Sequence, residues 1–130
     1  MVQQSDRGRN RSRSPRRWQF ERLGIQTLRA DDVLYSQTSM SDRFSDGSLL
    51  STLVRDLLSG NADLFRDERL CLTVADWPGR GLVSIDNRRL WCIKQYQEHE
   101  RQEGGSDVYL RAVVFRLPQE FAQMTQVRDF

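Results

Sequence analysis

Between Ser48 and Gly60, six aliphatic side chains recur at intervals of three and four residues: Leu49, Leu50, Leu53, Val54, Leu57 and Leu58. That spacing is one apolar face of an α-helix. Ser48 has the side chain of an N-cap, and Gly60 stands where a left-handed residue closes a helix. The pattern predicts a core helix, and six buried aliphatics at roughly 1.5–3 kcal/mol each would make it the largest single contribution to stability. Its other side, Ser51, Thr52, Arg55 and Asp56, carries no catalytic pattern.

The remaining elements are read around this helix. Trp18 to Leu28 mixes apolar and polar residues, with Gly24 interrupting any helix, and reads as a linker with a short strand. Asp32 to Ser36 is a brief β-compatible run, and Thr38 or Ser39 could cap a helical turn through Met40, Arg43 and Phe44. Leu70 to Val74 and Leu82 to Ile85 flank Asp76-Trp77-Pro78-Gly79-Arg80-Gly81, whose Pro-Gly step suits a type II turn, so Leu70 to Ile85 reads as a hairpin. Val108 to Leu117 is rich in β-branched and aromatic residues, the strongest strand signal in the chain. Pro118 then opens a short terminal helix with Phe121, Met124 and Val127 at helical spacing.

The stretch Leu82 to Tyr96, LVSIDNRRLWCIKQY, joins a short apolar run to a polar corner and a helix. The helix continues through Leu90, Ile93 and Gln97 and is expected to fray over Glu98 to Glu103. A helix opening near Asp86 or Asn87 puts Arg88 and Arg89 in its first turn, where free amides and the macrodipole are already positive. Two cations there cost roughly 0.3–1 kcal/mol each unless an anion is close. That anion is Asp86, another carboxylate of the fold, or a bound phosphate. Trp77 and Trp91 are the aromatics best placed to stack on a base if the anion belongs to a nucleotide, and are ordinary packing otherwise.

Charge separates the chain into two parts. Met1 to Arg17 holds Arg7, Arg9, Arg11, Arg13, Arg16 and Arg17 against Asp6 alone, a charge of +5 in a chain of net +2, so the rest carries −3. A tail this polar and this charged is expected to be disordered and to bind nucleic-acid phosphates without sequence preference. Ser12 and Ser14 within it are candidate phosphorylation sites. At 130 residues the remainder, 18–130, holds one domain. Lys94 is the only lysine among twenty basic residues, and arginine's planar fork suits phosphate and carboxylate. Arg-rich runs can act as import signals, so an intracellular protein is expected, nuclear ahead of cytoplasmic.

Other function classes find no support in the residues. Cys71, Cys92 and the single His99 lack metal-ligand spacing, and both cysteines lie in apolar runs where free buried thiols are the default and one disulfide the alternative. No recognisable nucleophile–base motif, phosphate loop or zinc-protease motif occurs. Asp31-Asp32 and Asp67-Glu68 read as solvated charges and His99 as exposed. No run approaches the ~18 apolar residues of a membrane span, and no apolar signal core follows the N-terminus. The residues therefore offer no catalytic group and no metal site, and a nucleotide, such as a nucleoside triphosphate, is the one cofactor they suit.

Phe44-Ser-Asp-Gly47, a leucine-rich helix, a hairpin and then Ser84-Ile-Asp-Asn-Arg-Arg-Leu-Trp91 together resemble the ParB/sulfiredoxin-like superfamily, over about Ile25 to Leu117. The DNRRL block matches uncharacterised members most closely. The resemblance implies a small α/β (α+β) domain, a mixed sheet of about four to five short strands with about three to four helices. It also implies a strand-to-helix corner that binds nucleotide phosphate, with Asp86, Asn87, Arg88 and Arg89 at the four corner positions and the two arginines as phosphate contacts. Asn87 stands where sulfiredoxins carry their cysteine, which speaks against sulfinic-acid reduction, and Asp86 replaces the ParB glycine. ParB's helix-turn-helix and dimerisation regions have no counterpart. Two functions follow as expectations: a nucleotide or nucleic-acid phosphate-binding module, weakly catalytic at most, or a protein-interaction module in which the corner is an internal salt-bridge knot.

Overall fold

The computed structural model describes residues 20–36 and 40–123. The basic tail with its six arginines, Ser12 and Ser14, Trp18, the cap candidates Thr38 and Ser39, and Met124 and Val127 lie outside the described residues.

Five strands form one mixed sheet. In chain order they are β1 (Glu21–Arg29), β2 (Val33–Tyr35), β3 (Leu72–Trp77), β4 (Gly81–Ser84) and β5 (Tyr109–Arg116), arranged β1-β5-β3-β4-β2. β3 lies at the centre, parallel to β5 and antiparallel to β4, while β1 runs antiparallel to β5 and β2 parallel to β4. Two α-helices, α1 (Leu50–Ser59) and α2 (Asn87–Gln102), accompany 3₁₀ turns at Ala30–Asp32, Glu68–Leu70 and Gln119–Gln123. The α+β class and five-stranded mixed sheet agree with expectation, but the three to four expected helices reduce to two among the described residues.

The β3–β4 turn is built as the Pro-Gly step predicts. Gly79 has φ +83° and the Arg80 amide donates to the Trp77 carbonyl at 2.9 Å, the bond that closes a type II turn. The strand alternation of β5 sends Leu110, Ala112 and Val114 inward, where with Leu72 and Val74 of β3 they meet Leu57 of α1 and Leu90 and Ile93 of α2. A smaller cluster on the other side of the sheet gathers Ala75, Trp77 and Val83 under Leu117 and Phe121. A third, Leu50, Val54 and Cys92 with Trp91 packed against them, joins α1 to α2.

Several local expectations are corrected. β1 is a nine-residue strand, not a short one, because Gly24 enters at φ +91° as a β-bulge instead of ending the element. Met40 to Phe44 is not helical: Arg43 bridges Leu49 and the Gly47 amide bonds the Phe44 carbonyl at 2.9 Å, making a tight reversal. Ser48 does not cap α1, since its amide and hydroxyl both go to Asp46 Oδ1 at 2.9 and 2.6 Å, leaving Leu49 at the cap position. Of the six aliphatics only Leu50, Val54 and Leu57 are buried; Leu53 is half-buried, and Leu49 and Leu58 are exposed because the apolar stripe is wider than the surface it meets. The first expected hairpin strand begins at Leu72, with Leu70 in a 3₁₀ turn. After Pro118 the chain makes only a 3₁₀ turn over Gln119–Gln123.

α2 stays helical to Gln102 instead of fraying from Glu98, and polar anchors at its far end account for this. Gln97 is 2% exposed; its amide nitrogen donates to Asp31 at 2.6 Å and its oxygen accepts from the Val108 amide at 3.3 Å. Arg101 pairs with Asp31 and with Asp107 at 3.5 Å, while Arg29 pairs with Asp107 at 3.0 Å and Asp32 at 3.3 Å. Asp31 and Asp32 are thus ion-pair partners, not loose solvated charges. Replacing Gln97 by alanine would leave a buried amide and a carboxylate short of a partner, a cost of about 1–3 kcal/mol. Gln97→Ala is expected to lower the urea midpoint with an unchanged m-value, read by circular dichroism.

Candidate functional site

The strand-to-helix corner is assembled where the parallel strands β2 and β4 end side by side, Tyr35 opposite Ser84. Buried Ser84 holds the turn: its Oγ accepts from the Asp86 amide at 3.0 Å and donates to the Asp86 carbonyl at 3.1 Å. Asp86 is the N-cap of α2, its Oδ1 accepting the Arg89 amide at 3.2 Å, and its Oδ2 pairs with Arg89 Nη1 at 2.9 Å. One carboxylate therefore satisfies a free amide of the first turn and one of the two cations that the macrodipole disfavours. Asn87 is buried, and its Oδ1 accepts from the Ser36 amide at 2.9 Å and hydroxyl at 3.3 Å, fastening the end of β2 to the start of α2.

Arg88 behaves differently from its neighbour. Its Nη1 donates to the Arg43 carbonyl at 3.0 Å, and among the described residues it has no carboxylate partner. The acceptor immediately precedes the Phe44–Gly47 reversal, which Arg43 itself clips through Nη1 to the Gly47 carbonyl at 2.9 Å. Two sequence blocks more than thirty-five residues apart thereby meet at one guanidinium.

Arg88 and Arg89 line one wall of a groove of about 390 Å³. Arg69 joins them, and Asp46 and Asp56 are the acids of the lining. Ser45, Ser48 and Thr52 contribute hydroxyl groups, and Phe44, Leu49, Leu53 and Leu70 apolar surface. Arg69 is itself paired with Asp67 at 2.6 Å, and its hydrogen bonds hold the Asp67 carboxyl below the usual range. Asp31 is likewise lowered, first by its hydrogen bond from Arg101. A general acid needs the opposite shift, which neither Asp31 nor Asp67 shows.

The aromatic candidates fall apart. Trp77 is 1% exposed, its indole N–H donates to the Phe121 carbonyl at 2.7 Å, and the Arg80 guanidinium covers its ring at 4.4 Å. It is packing under the sheet and offers no face for a base. Trp91 is half-buried, packs on the α1–α2 cluster and lines a separate groove of about 290 Å³ beside Met40 and Leu49. Neither tryptophan lines the arginine groove; Phe44 does, and only its place in the reversal reveals it. Arg69 was likewise missed, because nothing local in its sequence distinguishes it from other surface arginines. His99 is exposed as expected.

Both cysteines are free, Cys71 half-buried and Cys92 buried with its Sγ 3.4 Å from the Leu50 carbonyl. Among the described residues no His/Cys/Asp/Glu group could hold a metal ion, and no helix is long and apolar enough to cross a membrane. Against protein-family models, curated proteins and solved structures the chain finds no match.

Two measurements follow from this geometry. Asp86→Ala removes the cap as well as the pair and is expected to cost about 0.5–2 kcal/mol. Asp86→Asn keeps a capping acceptor and should lose no more than the ~0.2–1 kcal/mol of a partly exposed ion pair; equal losses in urea unfolding would contradict the capping role. Burial, followed by the Asp86 charge, pushes the Cys92 thiol up to about 12. Only on the order of 10⁻⁴ of it would be thiolate at pH 8. Iodoacetamide at that pH should alkylate Cys71 and spare Cys92 until denaturant is added, as read by peptide mass spectrometry.

Proposed function

We propose that this chain is a phosphate-binding module of the ParB/sulfiredoxin-like kind. Its groove takes the phosphate of a nucleotide or of a single-stranded nucleic acid. The observation that carries the reading is Arg88: a guanidinium held at the groove wall by a neutral carbonyl, with its charge left over for an anion. Arg89 and Arg69 line the same groove with their charges balanced by Asp86 and Asp67, so the charge available to an anion is that of Arg88. The groove's volume falls within the range of small-ligand sites, and its mixture of apolar side chains, hydroxyls and arginines suits a nucleotide's base and phosphate. Within the four-residue corner the roles divide: Asp86 and Asn87 build it, Arg89 bridges building and binding, and Arg88 contacts the ligand. The tail arginines Arg7 to Arg17 add non-specific affinity for longer nucleic acids.

The alternative, a protein-interaction module with the corner as an internal knot, draws its support from the Asp86–Arg89 pair, which already supplies one arginine with a counter-charge. The readings separate in calorimetric titrations of the full chain with ATP and with short single-stranded oligonucleotides at low salt. Because the tail arginines attract ATP as well, the titrations are paired with a chain whose six tail arginines are serine, in which ATP reports on the groove. Binding to wild type is expected, with Arg88→Ala weakening ATP about tenfold or more, the scale of a charge-assisted hydrogen bond, at unchanged melting temperature. No ATP heat from wild type, with Arg89→Ala destabilising the fold, would favour the knot.

A further inference from the structure

A second pocket, of about 380 Å³, lies along α2 toward its C-terminal end, its α2 residues Tyr96 and Glu100 about 14–20 Å from the corner by the helix rise. Its lining inverts the chemistry of the first. Phe65, Tyr96 and Tyr109 supply aromatic rings, Asp63, Glu100 and Asp107 supply carboxylates, and no arginine or lysine contributes. Asp107 is offset by Arg29 and Arg101. Asp63 and Glu100 have no cationic partner among the described residues. Asp63 Oδ1 accepts only the amides of Phe65 and Arg66, at 2.8 and 3.1 Å.

The rings make this more than a set of acids. Phe65 and Tyr109 are 47% and 46% exposed, two of the eight large hydrophobic side chains exposed among the described residues, and both belong to this one cavity. The carboxylates form no metal-binding group. Aromatic faces attract a cation through the ring quadrupole, and they favour organic cations, whose hydration is weak enough to be shed. The Tyr96 phenol reports the resulting field: burial first, then the charges of Glu100 and Asp63, push its pKa up.

We infer that this pocket binds a weakly hydrated organic cation, the guanidinium of an arginine side chain presented by a peptide. The aromatic rings of Phe65, Tyr96 and Tyr109 cover its planar surface and Glu100 with Asp63 balances its charge. The pocket is independent of the arginine groove in position and in sign of charge, so its occupancy does not depend on the phosphate reading.

The test is nuclear magnetic resonance titration of the full-length protein with choline, with N-acetylarginine amide and with 3,3-dimethylbutan-1-ol, the neutral isostere of choline. Parallel titrations use a chain whose six tail arginines are serine, so that the tail cannot mask the pocket. Saturable amide shifts at Phe65, Gly105, Ser106 and Val108 are expected for the two cations in at least one of the two chains, and no saturable shift for the alcohol. Glu100→Gln and Phe65→Ala should each weaken the cations about two- to fivefold, with the spectrum elsewhere unchanged. The proposal is overturned by the absence of saturable cation shifts in both chains. An alcohol that binds as well as choline would also overturn it. So would affinities that survive Glu100→Gln and Phe65→Ala unaltered.

Discussion

The geometry of the arginine groove depends on how one carboxylate, Asp86, is used. The chain turns from strand to helix in two residues, and a helix start brings free amides and a positive dipole to a place where the sequence also puts two arginines. Asp86 answers both demands at once, as cap and as partner of Arg89. Ser84 fixes the orientation of Asp86, and Asn87 ties the corner to the end of β2. With those bonds made, Arg88 projects from a rigid base to the reversal after Met40, and the groove between α1 and α2 acquires a defined wall.

α2 organises the molecule's electrostatics along its length. At its start, arginines collect along one groove; near its end, carboxylates and aromatic rings line a second pocket. The same far end is pinned by buried Gln97 and by the Arg29, Arg101, Asp31 and Asp107 ion pairs, which are partly exposed and individually weak. Their shared geometry holds the 3₁₀ turn at Ala30–Asp32 and the start of β5 against one helix. A basic tail of charge +5 on a body of charge −3 sets this arrangement in a strongly asymmetric field.

Much of this was legible from residue patterns, and the exceptions share a cause. β5, the β3–β4 hairpin and α2 follow from β-branched runs, a Pro-Gly step and a helical period. The Asp86 cap follows from its place before the helix. α1 was legible as a helix but not in its depth, because periodicity names a face without saying how much of it a five-stranded sheet can cover. Ser48 looked like a cap, but its amide and hydroxyl both donate to Asp46 in a local turn and the helix opens one residue later, an alternative that sequence spacing does not rank. Trp77 and Trp91 could be named as aromatics near the corner, but the sheet face Trp77 joins is set by strand register, and the neighbours of Trp91 by how α1 packs on α2.

By itself, the sequence determined the local chemistry: where the chain turns, which stretches alternate or repeat, that a basic tail precedes a mildly acidic body, and that two arginines at a helix start are disfavoured without a nearby anion. The tertiary structure decided which anion each arginine has. It paired Arg89 with Asp86 and Arg69 with Asp67, left Arg88 on a neutral carbonyl, and placed these three arginines around one groove. It also gathered Asp63, Phe65, Glu100 and Tyr109 from separate stretches into one pocket. Charge, capping and period act over a few neighbouring residues and can be read along the chain, whereas convergence of distant side chains exists only once the helices have packed on the sheet.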